Sequence, residues 1–130
     1  AVVCALLFAA CEGYLGPDWD LGTAFLDDPR NLQALTLIPQ DQRDPPIWIV
    51  DVRPGWTYNG GHIPTAISRP SSDIANRLED TSLDDPDNYI IVYCETGIRA
   101  QGVINDYLLP NGNTRVMNWG GITNWPYGLE

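Results

Sequence analysis

Short runs of apolar residues, each cut off by turn-forming residues, dominate the pattern along the chain. Ile47-Trp48-Ile49-Val50 is continuous and ends at Asp51, and Tyr89-Ile90-Ile91-Val92-Tyr93 is continuous and ends at Cys94. Runs of this length without polar alternation predict strands buried on both faces, as in parallel sheets. Thr114-Arg115-Val116-Met117 predicts a weaker third strand and Thr65-Ala66-Ile67 a short fourth. Between the strands the apolar spacing becomes helical. Ser72 to Glu79 places Ile74, Ala75 and Leu78 on one face, with Ser71 or Ser72 as cap. Ile98 to Leu109 places Val103, Ile104, Tyr107 and Leu108 on one face, and Pro110-Asn111-Gly112 stops it. Upstream, Leu21, Phe25, Leu26, Leu32, Leu35 and Leu37 show a looser helical spacing, broken by Asp27-Asp28-Pro29. Pro29 suits the start of a helix at Arg30, with Asp28 as its cap. Strands alternating with helices predict an α/β fold with a central parallel sheet and helices on both faces. Chemistry in such sheets gathers where strands end at the carboxyl edge, and Asp51 and Cys94 both stand at such ends.

The first ten residues, Ala1 to Ala10, form a separate apolar run. A helix needs about twenty residues to span a bilayer, so this run is too short to cross one. It has the length of a signal-peptide core and ends in small residues; a buried strand or helix is the alternative. Leu7-Phe8-Ala9-Ala10-Cys11 resembles the lipobox of bacterial lipoproteins, although Phe8 stands where Leu is commonest. That resemblance implies that residues 1–10 are removed, that Cys11 is lipidated, and that the protein is exported, periplasmic or membrane-anchored. A single acylated Cys holds a domain near a membrane without a spanning helix. Residues 11–20 then read as a tether, with Gly and Pro breaking any regular element, and residues 21–130 as the folded domain.

Length and composition narrow the function. The chain of 130 residues fits one domain, and its 44% hydrophobic content supports a packed core. The formal net charge is -10 and the pI about 4.2, so a nucleic-acid partner is excluded by the lack of a basic surface. The acid excess is largely Asp, and every cationic side chain is Arg. No Cys pair has the spacing of a zinc site or a redox Cys-x-x-Cys, and no metal or cofactor is implied. Cys4 and Cys11 belong to the first apolar run or follow it, which leaves Cys94 alone in the body of the chain.

Cys94 follows an apolar strand and precedes a helix, and Glu95-Thr96-Gly97-Ile98-Arg99 turns the chain between them. Such a turn can point successive backbone N–H groups at one spot, and Gly97 permits the conformation this needs. The helix start adds partial positive charge and Arg99 a full one. These features favour a reactive thiolate, whereas Glu95 opposes it and repels anionic substrates. The alternative is a small buried hydrophobe at a strand end.

Two separated segments resemble the rhodanese superfamily. Asp51-Val52-Arg53-Pro54-Gly55-Trp56-Thr57-Tyr58-Asn59-Gly60-Gly61-His62-Ile63-Pro64-Thr65-Ala66-Ile67 resembles its Asp-Val-Arg to Gly-His-Ile-Pro-Gly-Ala signature. Ile91 to Arg99 resembles its active-site loop, and Met117-Asn118-Trp119-Gly120-Gly121-Ile122 with Trp125 resembles its C-terminal Gly-Gly-x-x-x-Trp stretch. The resemblance covers roughly residues 45–128 and implies a single rhodanese-like domain. It implies a sulfurtransferase in which Cys94 accepts a sulfane sulfur from a donor such as thiosulfate, carries it as a persulfide, and passes it to a thiol or cyanide-like acceptor. Glu95, Thr96, Gly97, Ile98 and Arg99 are then the substrate cradle, and Asp51, Arg53 and His62 its structural support. The chain departs from the pattern at Thr57, where Glu is usual, and at Thr65, where Gly is usual. Glu95 stands where many thiosulfate-using members carry a basic residue, which weighs against thiosulfate as the donor.

His62 is the only histidine, and its Gly-His-Ile-Pro setting reads as a structural turn rather than half of a Cys-His pair. Arg69 is a candidate to face the pocket. Trp119 and Trp125 are candidates for its mouth, with the core as the commoner place for large aromatics. Two other functions remain. The same fold serves Cys-dependent phosphatases and arsenate reductases, but their loops carry one residue more between Cys and Arg than the four separating Cys94 from Arg99. A non-catalytic binding or sulfur-carrier module in a larger assembly is compatible with the same residues.

Overall fold

The computed structural model describes residues 26–76, 83 and 85–130. The apolar run, Cys4, Cys11, the tether, Leu21, Phe25 and Leu78 lie outside the described residues.

The two continuous apolar runs are the central strands. β1 (Ile47–Asp51) and β3 (Tyr89–Cys94) pair in parallel from Ile47 opposite Tyr89 to Asp51 opposite Tyr93. The short β2 (Ile67–Ser68) flanks β1 and β4 (Val116–Gly121) flanks β3, giving the parallel order β2-β1-β3-β4. β3 is buried along its whole length, as an apolar strand with a layer on each side must be.

Alternation along the strands divides the core in two. Ile47, Ile49, Tyr89, Ile91 and Tyr93 point to one face, where Leu32 and Leu35 of α1 (Pro29–Thr36), Leu26, Trp119 and Trp125 cover them. Val50, Ile90, Val92 and Cys94 point to the other. There Ile74 of α3 (Ser71–Asn76) packs on them, with Ala100 and Val103 of α4 (Ile98–Val103). The predicted α/β sheet with helices on both faces is therefore present. Asp28 caps α1 by accepting the Arg30 N–H at 2.9 Å, with Pro29 in the first turn.

Several boundaries differ from the sequence reading. The third strand runs Val116–Gly121 rather than Thr114–Met117, and it carries a bulge: Val92 faces Asn118 but Tyr93 faces Gly120. The fourth begins at Ile67, because Thr65 has φ 67 and cannot lie in a strand. The helix expected over Ile98–Leu109 is α-helical only to Val103 and then widens, the Leu109 N–H reaching back to the Ile104 carbonyl at 2.9 Å. A five-residue helix, α2 (Gly55–Asn59), is absent from the sequence reading; its glycine-rich surroundings hid it.

Candidate functional site

Cys94 is the last residue of β3, so the sheet delivers it to the carboxyl edge. It is 2% exposed as a residue, yet it lines an open cleft of about 500 Å³ together with Glu95, Thr96, Ile98 and Arg99. Gly97 does not line the cleft. Its N–H instead donates to Cys94 Sγ at 3.0 Å. That bond requires the loop to fold back on its own start, and Gly97 makes this possible with φ 96. The Gly97 carbonyl accepts the Gln101 N–H at 3.0 Å, so the same residue opens α4. Of the five predicted cradle residues, four surround the cleft and the fifth holds the sulfur.

The loop is pressed against the end of β4. A Cβ on Gly97 would lie 3.0 Å from Gly120 Cα, and a Cβ on Gly121 would collide with the Glu95 carbonyl. The Gly-Gly pair is thus a space requirement of the Cys94 loop. The charged groups lining the cleft are Glu95 and Arg99. A second, shallower cleft of about 320 Å³ adjoins through Arg99 and reaches Ser71, Ser72 and Tyr107.

Asp51 and Arg53 stay outside the cleft and build its support. Arg53 Nη2 donates to Asp51 Oδ2 at 2.6 Å and to the Gly61 carbonyl at 2.7 Å, with both side chains buried. Burial pulls the Arg53 guanidinium down, but hydrogen bonding to Asp51 and its charge outweigh this and hold it above its ordinary value. The pair ties the end of β1 to the Gly-His-Ile-Pro segment without the Glu usual at position 57. Thr57 Oγ1 is buried there with no hydrogen-bond partner. Tyr93 adds a second tie, its hydroxyl accepting the Ile63 N–H at 3.1 Å.

His62 is part of this support. Its ring stacks on Tyr58 at 3.8 Å, its Nδ1 lies 3.0 Å from the Tyr58 carbonyl, and its Nε2 lies 3.8 Å from Glu130. None of these contacts involves the Cys94 loop, so the structure does not form a Cys-His pair. Arg69 is turned to the backbone, donating to the Ser68 carbonyl at 2.8 Å, and does not line the Cys94 cleft. Trp119 and Trp125 belong to the core on the opposite sheet face from Cys94, so neither forms the cleft mouth. Trp119 donates to the Leu26 carbonyl and Trp125 to the Gly128 carbonyl, each at 3.1 Å.

The sequence names Ile98 as a cradle residue but not its exposed apolar side chain, and it singles out neither Arg43 nor Asn118. Ile98 is 80% exposed at the cleft, which places an apolar surface beside the sulfur. Arg43 is buried against the Ile38 and Ile47 carbonyls and Thr65 Oγ1, and burial pushes its guanidinium down to about 10. Asn118 bonds to both the Cys94 loop and Gly120; a polar residue in an apolar strand just before Gly-Gly was its available signal.

Comparison with known proteins agrees with this geometry. The family model described as Rhodanese-like domain matches residues 33–126. The chain is 33% identical over 93 residues to the thiosulfate sulfurtransferase GlpE of Pseudoalteromonas translucida (strain TAC 125), covering 71% of this chain and 83% of that protein. SSP1007 from Staphylococcus saprophyticus superposes with TM-score 0.54 at 31% identity, covering 65% of this chain and 82% of that one. A rhodanese-like domain protein from Staphylococcus aureus superposes with TM-score 0.54 at 27% identity, covering 72% and 94%.

Proposed function

The chain belongs to the rhodanese-like domain family, and from that premise we propose that it is a sulfurtransferase that works through a persulfide on Cys94. The observation that carries the reading is the Gly97 N–H directed at Cys94 Sγ on the wall of an open cleft. A buried Cys needed only for packing requires neither a backbone donor nor a cleft.

In the proposed reaction the Cys94 thiolate attacks the outer sulfur of a donor such as thiosulfate. A new S–S bond forms, the donor's S–S bond breaks, and sulfite leaves with the electron pair. A thiol or cyanide-like acceptor then attacks the terminal sulfur, and the Cys94 thiolate departs as the leaving group. The Gly97 N–H is placed to hold the anionic sulfur in both steps. Arg99 supplies positive charge for an anionic donor, and Glu95 opposes it on the same cleft wall. That opposition favours donors less charged than thiosulfate. Ile98 offers the apolar wall such donors would use.

The test is intact mass after incubation with thiosulfate or mercaptopyruvate, followed by cyanide and a thiocyanate assay. One added sulfur on Cys94, lost on cyanide treatment and absent in Cys94→Ser, is the expected result. No adduct from any sulfane donor would sink the proposal and leave a binding module. The lipobox resemblance further supports export with lipidation of Cys11, which the mass of the native N-terminal peptide tests directly.

A further inference from the structure

The Gly97 N–H is directed at the Cys94 sulfur, and Gly97, a glycine at φ 96, has no side chain of its own to anchor it. The anchor comes from β4. Asn118 Nδ2 donates to the Gly97 carbonyl at 2.9 Å and to Gln101 Oε1 at 3.1 Å, while Asn118 Oδ1 accepts the Gly120 N–H at 2.9 Å. The amide orientation is fixed by its backbone partners, since a carbonyl can only accept and an N–H can only donate. Side chains alternate along β4, so Trp119 turns to the opposite core while Asn118 faces the loop. The β4 bulge follows directly, Val92 facing Asn118 and Tyr93 facing Gly120.

We infer that Asn118 is a positioning residue of the sulfur site. It clamps the peptide of Gly97 between β4 and α4, so that the N–H on the other side of that residue stays directed at Cys94 Sγ. Through Gln101 the same side chain reaches the next turn of α4, and through Gly120 it fixes the glycine against which the loop rests. The site is therefore braced by one side chain that touches neither sulfur nor cleft. This geometry stands whether or not Cys94 transfers sulfur; its consequence for transfer rests on the function proposed above.

Two substitutions separate the parts of the clamp. Asn118→Asp keeps an acceptor for Gly120 but replaces the donor to Gly97 with a repelling oxygen. Asn118→Ala removes both. Amide hydrogen exchange, read residue by residue by NMR, reports the position of Gly97 directly. Both variants are expected to exchange the Gly97 amide about tenfold faster or more, with Ile91 and Val92 of β3 within about twofold of wild type. A smaller change at Gly97, an equal loss of protection along β3, or failure of both variants to fold overturns the inference, because Asn118 would then serve the fold alone. In the persulfide assay both variants should load about tenfold more slowly at saturating donor, with the half-saturating concentration unchanged. Wild-type protein that never loads counts against the sulfurtransferase reading, while the exchange measurement still decides the clamp.

Discussion

Gly121→Ala is the sharpest probe of how β4 supports the Cys94 loop. Gly121 has extended backbone, φ −103 and ψ 145, which any residue adopts. No conformational penalty therefore attaches to alanine. The obstacle is space. The new Cβ would collide with the Glu95 carbonyl oxygen and lie 3.1 Å from the Glu95 carbonyl carbon and 3.2 Å from Thr96 Cα. All three are backbone atoms of the loop that follows Cys94, so no flexible side chain can swing aside. Overpacking of this kind costs about 1–3 kcal/mol. For a domain of this size each kcal/mol lowers the melting temperature by about 4 °C, so the expected loss is about 4–12 °C. Gly102→Ala is the matched control. Its Cβ would meet nothing within 4 Å, and it lies inside α4, where alanine should stabilise by about 0.5–1 kcal/mol. Thermal melts of the three proteins, with iodoacetamide alkylation of Cys94 in each, read both stability and loop geometry. If Gly121→Ala melts within about 1 °C of wild type and Cys94 alkylates at the wild-type rate, the contact is soft and the steric reasoning fails.

Further outcomes follow from the support of the site. Thr65 holds φ 67 while its hydroxyl accepts from the buried Arg43 at 2.6 Å, so Thr65→Ala loses that bond and keeps the strained backbone. Thr65→Gly loses the same bond but relieves about 1–2 kcal/mol of strain, and urea unfolding should rank it more stable than Thr65→Ala. The reverse order would show that φ 67 is unstrained here. Burial first, and then the charge of Asp51, raise the Tyr93 hydroxyl above its ordinary value of 10.0. Above pH 10 the unfolded chain loses that proton and the folded chain keeps it, so the stability Tyr93 contributes is complete below pH 10 and falls as pH rises. Tyr93→Phe, which orphans the Ile63 N–H, should cost about 1–3 kcal/mol at neutral pH, with the gap to wild type narrowing above pH 10. A gap that stays constant from neutral pH to pH 11 would remove Tyr93 from the alkaline transition.

The sequence alone carried the sheet. Two apolar runs of strand length, each closed by a polar or reactive residue, are enough to specify buried parallel strands and to put Asp51 and Cys94 at one edge, because side-chain burial acts locally along a strand. The cap at Asp28 and the loop from Glu95 to Arg99 are legible because each signal lies within a few consecutive residues. What tertiary structure decided lies between segments. Position 57 carries Thr in place of Glu, yet Arg53 is satisfied by Asp51 and the Gly61 carbonyl, a substitution of partners visible only when β1 and the Gly-His-Ile-Pro segment meet. Thr65 stands at a positive φ where glycine is usual, and its partner Arg43 lies 22 residues away in sequence. Asn118 gave almost no signal, since its partners are carbonyls and an N–H that every residue possesses. Backbone hydrogen bonds and excluded volume leave no mark on composition or periodicity; they appear only when β4 is laid beside β3 and the Cys94 loop has to fit against the end of β4.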